Sequence, residues 1–265
     1  MSKIIAIANQ KGGVGKTTTA VNLSACLATL KKRVLLVDID PQGNATSGLG
    51  ISKNGKVKNI YSVLIEGENI SKAIKSTGVK NLDILISNIE LAGAEIELVS
   101  MMAREYVLKS ALEEVAEKYD YVIIDCPPSL GLLTLNALAA STSVLIPIQC
   151  EFYALEGLGQ LINTITLIQK KLNTTLNIEG IVLTMFDSRT NLSLQVVEEV
   201  KKHFKNKVYP VMIPRNVRLS EAPSHGKPII LYDKDSKGAE SYMALAEEIL
   251  EQEKEKKKKD KKNKM

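Results

Sequence analysis

The sequence predicts an α/β fold, with a doubly wound, mostly parallel sheet flanked by helices in a single domain. Two observations predict it, and the length allows it. Short β-branched runs alternate with segments of helical period, the pattern of strands joined by crossover helices. Residues 126–150 carry no charge at all, as expected for elements buried between two covered faces of a parallel sheet. The length, 265 residues, near where single cores stop growing, leaves room for one large α/β unit as well as for two small domains.

Strands are expected at residues 3–8, 33–38, 82–87, 121–125, 143–148 and 178–185. Each is short, rich in Val and Ile, and bounded by turn residues. Helices are expected at 16–30, 90–99, 103–118, 153–172, 192–204 and 239–251, where apolar residues recur at three-to-four spacing. Residues 134–140 read as a further, buried helix. Residues 44–75, rich in Gly, Asn, Ser and Lys, read as an excursion on the sheet with one short helix at 59–65. No repeat and no boundary precede residue 252, so the domain is expected to run from 1 to 251.

The net charge of +5 is concentrated at the end of the chain. The last fifteen residues, EQEKEKKKKDKKNKM, hold eight Lys and four acidic residues. Residues 252–265 are therefore expected to be a disordered Lys-rich tail, and the body is close to neutral. A basic binding face on that body has to be local. Cys26, Cys126 and Cys150 show no CxxC spacing, which fits reduced, buried thiols. No secretory leader is recognisable, so a cytoplasmic protein is expected. The uncharged stretch 126–150 is long enough to raise the question of a membrane span, but Pro127, Pro128, Pro147 and the polar Asn136, Ser141, Thr142 and Ser143 argue against it.

The strongest chemical signal is KIIAIANQKGGVGKTTT at residues 3–19: a strand, a Gly-rich turn and a helix start. That layout aims backbone N–H groups and a helix dipole at phosphate oxygens. Gly12, Gly13 and Gly15 let the chain turn tightly around Val14 and approach a ligand. Lys16 reaches the β and γ phosphates of a nucleotide, and the Thr17 hydroxyl can ligate Mg2+. Thr18, one residue on, is placed to meet the α phosphate. The common G-x-x-x-x-G-K-[ST] pattern fails at its first glycine, where Gln10 stands, and an additional lysine appears at 11.

The form KGGVGKTT resembles the deviant Walker A motif of the ParA/MinD group of P-loop ATPases. That resemblance implies ATP as ligand and a role for Lys11 in trans, on the partner's phosphates in a nucleotide-sandwich homodimer. Two further segments support it. VLLVDIDPQGNATSGLG, residues 34–50, is similar to the group's Walker A′ motif, which implies that Asp40 orients the attacking water while Asp38 lies near the metal without ligating it. YDYVIIDCPPSLG, residues 119–131, delivers Asp125 at a strand end, where ligands of open α/β sheets sit. Asp125 resembles a Walker B aspartate, holding Mg2+ directly or through water.

Within the group the chain most resembles the ParA/Soj partition ATPases, over roughly residues 1–250. DIDPQGNATSGLG, DCPPSLGLLTLNAL, TMFDSRTNLS and MIPRNVRLSEAPSHGKPI carry that resemblance. It implies an adenine pocket containing Pro214 and Asn216. It also implies sequence-independent DNA binding by the ATP dimer through Arg189 and Arg218, near Arg215, Lys201, Lys202, Lys205 and Lys207. The implied partner is a ParB/Spo0J-type centromere-binding protein that stimulates hydrolysis, and the implied location is the nucleoid.

Three relatives of different behaviour are disfavoured. A MinD-like membrane-positioning ATPase needs a C-terminal amphipathic helix, yet after Leu250 the only apolar residue is Met265; stable membrane anchoring is not expected. A nitrogenase-iron-protein-like donor needs cluster-ligating cysteines, which the three isolated cysteines do not supply. An ATP-gated regulator with little hydrolysis is the remaining alternative, and the presence of Asp40 favours turnover.

Overall fold

The computed structural model describes residues 2–55, 57–151 and 154–263. Eight strands form one sheet: β1 (Lys3–Ile7), β2 (Val34–Asp38), β3 (Ile74–Ser76), β4 (Leu82–Leu85), β5 (Tyr121–Asp125), β6 (Ser143–Gln149), β7 (Asn177–Phe186) and β8 (Val208–Pro214). Their spatial order is β3-β4-β2-β5-β1-β6-β7-β8. All neighbours are parallel except β3, which runs antiparallel to β4. The chain builds outward from β1 in both directions, so a crevice opens at the C-terminal ends of the strands beside β1.

Helices cover both faces, and alternation along each strand divides the core between them. Ala6, Leu35, Val37, Val122 and Ile124 face one layer, packed on Leu133, Leu138, Leu158 and Leu161. Ile5, Ile7, Leu36 and Ile123 face the other, packed on Leu23, Leu27, Tyr242 and Ile249. Every residue of β2 and β5 is buried. These two strands hold Asp38 and Asp125 at their ends, and the register places the two residues side by side.

The six expected strands are present, and two more join them. β8 contains Pro210 and Pro214; it is an edge strand, where a missing N–H donor is tolerated. β3 is only three residues long. The single helix expected over 103–118 is instead Val107–Glu113 followed by a 3-10 turn at Ala116–Lys118. Ala103 has φ 51, a left-handed conformation that an α-helix does not contain. The uncharged stretch folds as Leu132–Ala140 and β6, and no described helix is long and apolar enough to cross a membrane. Helix Ala154–Lys171 matches the expected one; Tyr153, its expected first residue, lies outside the described residues.

The Lys-rich tail differs from expectation. The last helix, Lys237–Asn263, crosses residues 251–252 without a break, where disorder is expected; residues 264–265 lie outside the described residues. Glu and Lys are good helix formers, Glu255 and Lys259 stand at the favourable i,i+4 spacing, and lysines near a helix C-terminus suit its dipole.

Candidate functional site

The loop after β1 is pinned from two sides. The Asn9 amide donates to the Pro147 carbonyl at 2.7 Å and its Oδ1 accepts from the Lys11 N–H at 3.0 Å. The Thr184 hydroxyl of β7 donates to the Val14 carbonyl at 2.8 Å. Gly15 has φ 86, which a residue with a Cβ adopts only under strain. Helix Lys16–Thr29 follows with no side-chain cap, so the N–H groups of its first turn face the crevice for an anion to fill.

Two lysines bracket this loop. Lys16 Nζ donates to the Lys11 carbonyl at 3.0 Å. Burial lowers its pKa, opposed first by the negative charge of Asp125. Lys11 sits at the mouth, 34% exposed, with Nζ 3.1 Å from Glu151 Oε2; the Gln149 amide holds the other oxygen of Glu151.

Three carboxylates face the loop. Asp38 is fully buried and accepts from the Thr46 N–H (2.8 Å), the Thr46 hydroxyl (2.7 Å) and the Asp40 N–H (3.2 Å). Burial nonetheless pushes its pKa up to about 6. Asp125 is raised further, by burial first and then by the charge of Asp38. Both its oxygens are buried without a hydrogen bond of ordinary geometry, although the Thr17 hydroxyl lies close enough to pull the pKa back. A buried carboxylate left in this condition is costly, and a divalent cation would relieve it. Thr17 and Asp125 thus fit Mg2+, which binds through one or two protein ligands, waters and substrate phosphates. No cluster of three His, Cys, Asp or Glu residues that could hold a metal exists among the described residues. Cys126, beside Asp125, is a buried thiol whose pKa burial raises.

Asp40 stands on the turn after β2. Its Oδ1 accepts from the Gln42 N–H at 2.9 Å and its carbonyl accepts from the Ser87 hydroxyl at 2.7 Å. With Gly12, Gly13, Lys16 and Thr17 it lines a cavity of about 320 Å³. A second cavity, about 350 Å³, is lined by Ile213, Pro214, Asn216 and Tyr242. The two share Gly15, Thr18 and Met185. One polar and one more apolar chamber meeting at a phosphate loop can accept a triphosphate and a base respectively. Asn216 uses its Oδ1 to cap the next helix through the Leu219 N–H at 3.2 Å.

Two loops near the crevice also meet backbone to backbone. A Cβ on Gly226, which has φ 61, would lie 2.6 Å from the Gly50 Cα. The loop after Asp40 therefore touches the loop after Asn216 with no side chain between them.

The predicted phosphate, metal and base residues come together in this crevice; Arg189 and Arg218 lie outside it. Arg189 is 86% exposed and forms a two-bond pair with Asp187 at 2.9 and 2.7 Å. Arg218 meets Glu221 at 3.0 Å and Asp233 at 3.4 Å. Sequence reasoning missed Thr46, Ser87, Glu151, Thr184 and Met185. Met185 has φ 51 and sits where the chambers join; such strain in a non-Gly residue gathers at functional sites. A Thr and a Met in a strand carry no signal of these positions.

A Gly-rich loop between β1 and a helix, with carboxylates on adjoining strand ends, defines a P-loop nucleotide-binding protein. The AAA-domain family model matches residues 2–178. The chain is 67% identical to sporulation initiation inhibitor protein Soj of Bacillus subtilis, over 94% of this chain and 98% of that protein. It is 58% identical to the chromosome partitioning protein ParA of Myxococcus xanthus, over 96% and 89%. A solved structure named cobyrinic acid a,c-diamide synthase, from Mycobacterium smegmatis with bound ADP and magnesium, superposes with a TM-score of 0.85 at 40% identity, covering 96% of each chain. One scaffold thus carries different names, and the 67% and 58% relatives decide between them. The chain belongs to the Soj/ParA family.

Proposed function

We propose that the chain is an Mg2+-dependent ATPase of DNA partition, working as a nucleotide-controlled dimer on the nucleoid in the cytoplasm, with its catalytic domain at residues 1–251. The observation that carries this is the pair of joined chambers with the unrelieved, buried Asp125 carboxylate beside Thr17, which lines one of them. The partition role itself comes from the named relatives.

In this reading the first-turn N–H groups and Lys16 bind the phosphates, Thr18 contacts the α phosphate, and Pro214 and Asn216 border the base. Mg2+ held at Thr17 and Asp125 would neutralise carboxylate and phosphate charge together. Asp38 holds Asp40 by accepting its N–H, and Asp40 orients water in line with the γ phosphate. Lys11 leaves Glu151 and reaches the nucleotide of a second copy. A Cβ added at Gly12 meets nothing within 4 Å in the chain, so an effect of Gly12→Val arises from nucleotide or partner. The dimer presents Arg189 and Arg218 in duplicate to DNA phosphates, which makes binding salt-dependent. Hydrolysis, stimulated by a ParB/Spo0J-type partner, releases it.

Asp40→Ala protein tests this directly on unrelated duplex DNA, with ATP and with ADP, across a salt series and beside anionic liposomes. Salt-sensitive DNA binding that is much tighter with ATP than with ADP is expected. ATP-dependent liposome binding without DNA binding overturns the reading in favour of a membrane-positioning ATPase.

A further inference from the structure

The last helix has two halves of opposite character. In the first, Ala239, Tyr242, Leu245, Ala246 and Ile249 are buried in the core, and Tyr242 OH lies 3.1 Å from Thr19 Oγ1 on the phosphate-loop helix. The apolar spacing ends at Leu250. One turn on, Glu253 accepts a hydrogen bond from the Tyr121 hydroxyl at the start of β5. From there Lys254, Glu255, Lys256, Lys258 and Lys259 are exposed. The described helix continues ten residues past Glu253, about 15 Å at the usual helical rise.

Charge separates the halves more sharply. Residues 254–265 hold eight lysines and two acidic residues, +6 net, so the rest of the chain carries −1. Long-range attraction of this protein to a polyanion therefore originates in this one segment. Its place matters as much as its sign. Tyr121 and Lys3 mark the N-terminal ends of the strands, whereas Asp38, Asp125 and the phosphate loop lie at the opposite ends.

We propose that this Lys-rich helical extension is a second DNA-contacting surface, one that engages duplex phosphates whether or not nucleotide is bound. The occupant is set by charge and shape. Residues 254–264 contain no apolar residue, so the segment has no apolar face to enter a lipid surface. Duplex DNA offers one negative charge per about 1.7 Å of axis; residues 254–263 hold seven lysines in ten residues, one per about 2 Å at the usual helical rise. Phosphate contacts also relieve the mutual repulsion of lysines three and four apart. This contact stands independently of the ATP dimer and of Arg189 and Arg218.

The test measures binding of the full chain to an unrelated duplex without nucleotide and with ADP. It is compared with a chain ending at Glu253, which keeps the Tyr121 bond, and with the full-length triple variant Lys256→Gln, Lys258→Gln, Lys259→Gln. The full chain is expected to bind equally in both states and to lose about 100-fold in affinity between about 50 and about 200 mM salt, as four phosphate contacts imply. Both variants are expected to bind about 10-fold more weakly or worse with basal ATP hydrolysis unchanged, and backbone hydrogen exchange over 254–263 is expected to slow when DNA is added to the full chain. Nucleotide-free binding by the variants equal to that of the full chain overturns the proposal. So does capture of the full chain by phosphatidylglycerol vesicles without capture by DNA.

Discussion

The two ends of the sheet treat charge in opposite ways. At the N-terminal ends of the strands, carboxylates are matched. Lys3 pairs with the buried Glu179 at 2.7 Å; burial pushes the Glu179 pKa up, but Lys3, helped by Ser143 and Lys256, brings it below the usual carboxylate value. Arg33 pairs with Asp120 at 3.1 Å, and Tyr121 donates to Glu253. At the C-terminal ends, Asp125 has no such partner, Asp38 is pushed up to about 6, and Lys16 is held by a carbonyl rather than a carboxylate. One end is electrostatically closed; the other is completed by what it binds. Stability and function are thereby segregated along a single strand direction.

Substitutions at the two ends should therefore fail differently. Asp40→Ala is expected to lower turnover by about 100-fold or more, as removal of a water-orienting group does, with nucleotide affinity retained; single-turnover kinetics and direct binding measure the two. Lys16→Met is expected to weaken nucleotide binding about 100-fold, the order of a lost charged hydrogen bond, without lowering the melting temperature of the nucleotide-free chain. Lys3→Met is the mirror case. It leaves Glu179 buried and unpaired, at a cost of about 3 kcal/mol, with nucleotide affinity unchanged. If Lys3→Met weakened nucleotide binding as much as Lys16→Met, the contrast between the ends would be wrong. Thr184→Val removes only the bond to Val14 and should cost about 1 to 2 kcal/mol, read as a lower melting temperature and a modestly weaker grip on nucleotide.

Acidity sharpens the same contrast. Asp38 and Asp125 have folded-state pKa values raised above their unfolded ones. The folded chain thus holds more protons than the unfolded chain over that range, and their contribution to stability grows as pH falls from 7 through about 6 and is lost as pH rises again. Binding of Mg2+ and nucleotide favours the ionised carboxylates and so weakens over the same fall. Melting temperatures with and without Mg2+ and ATP, from pH 7 to pH 5, should converge; parallel slopes would contradict the placement of the metal.

Much of the site was legible because its chemistry is local in sequence. KGGVGKTT is one loop, and Asp38, Asp40 and Asp125 each end or follow an apolar run that reads as a buried strand. What escaped depends on contacts between distant segments. Thr184 reaches Val14 across 170 residues, and Ser87 holds the Asp40 carbonyl from 47 residues on, while Thr46 on the short helix Asn44–Gly48 holds Asp38. β8 was hidden by its two prolines, which only an edge position permits. The Lys-rich end was read from composition as disordered, whereas the helix that Tyr242, Leu245 and Ile249 anchor in the core extends through it. Arg189 and Arg218 were legible as exposed cations, but their carboxylate partners, Asp187 and Glu221 with Asp233, were not.

The seam between Gly50 and Gly226 limits how two loops of the crevice can move. Backbone meets backbone there, with no rotatable side chain to absorb a displacement. The segment that follows Asp40 and the segment that follows Asn216 are packed at van der Waals contact, so a side chain of any size at either glycine has to push them apart.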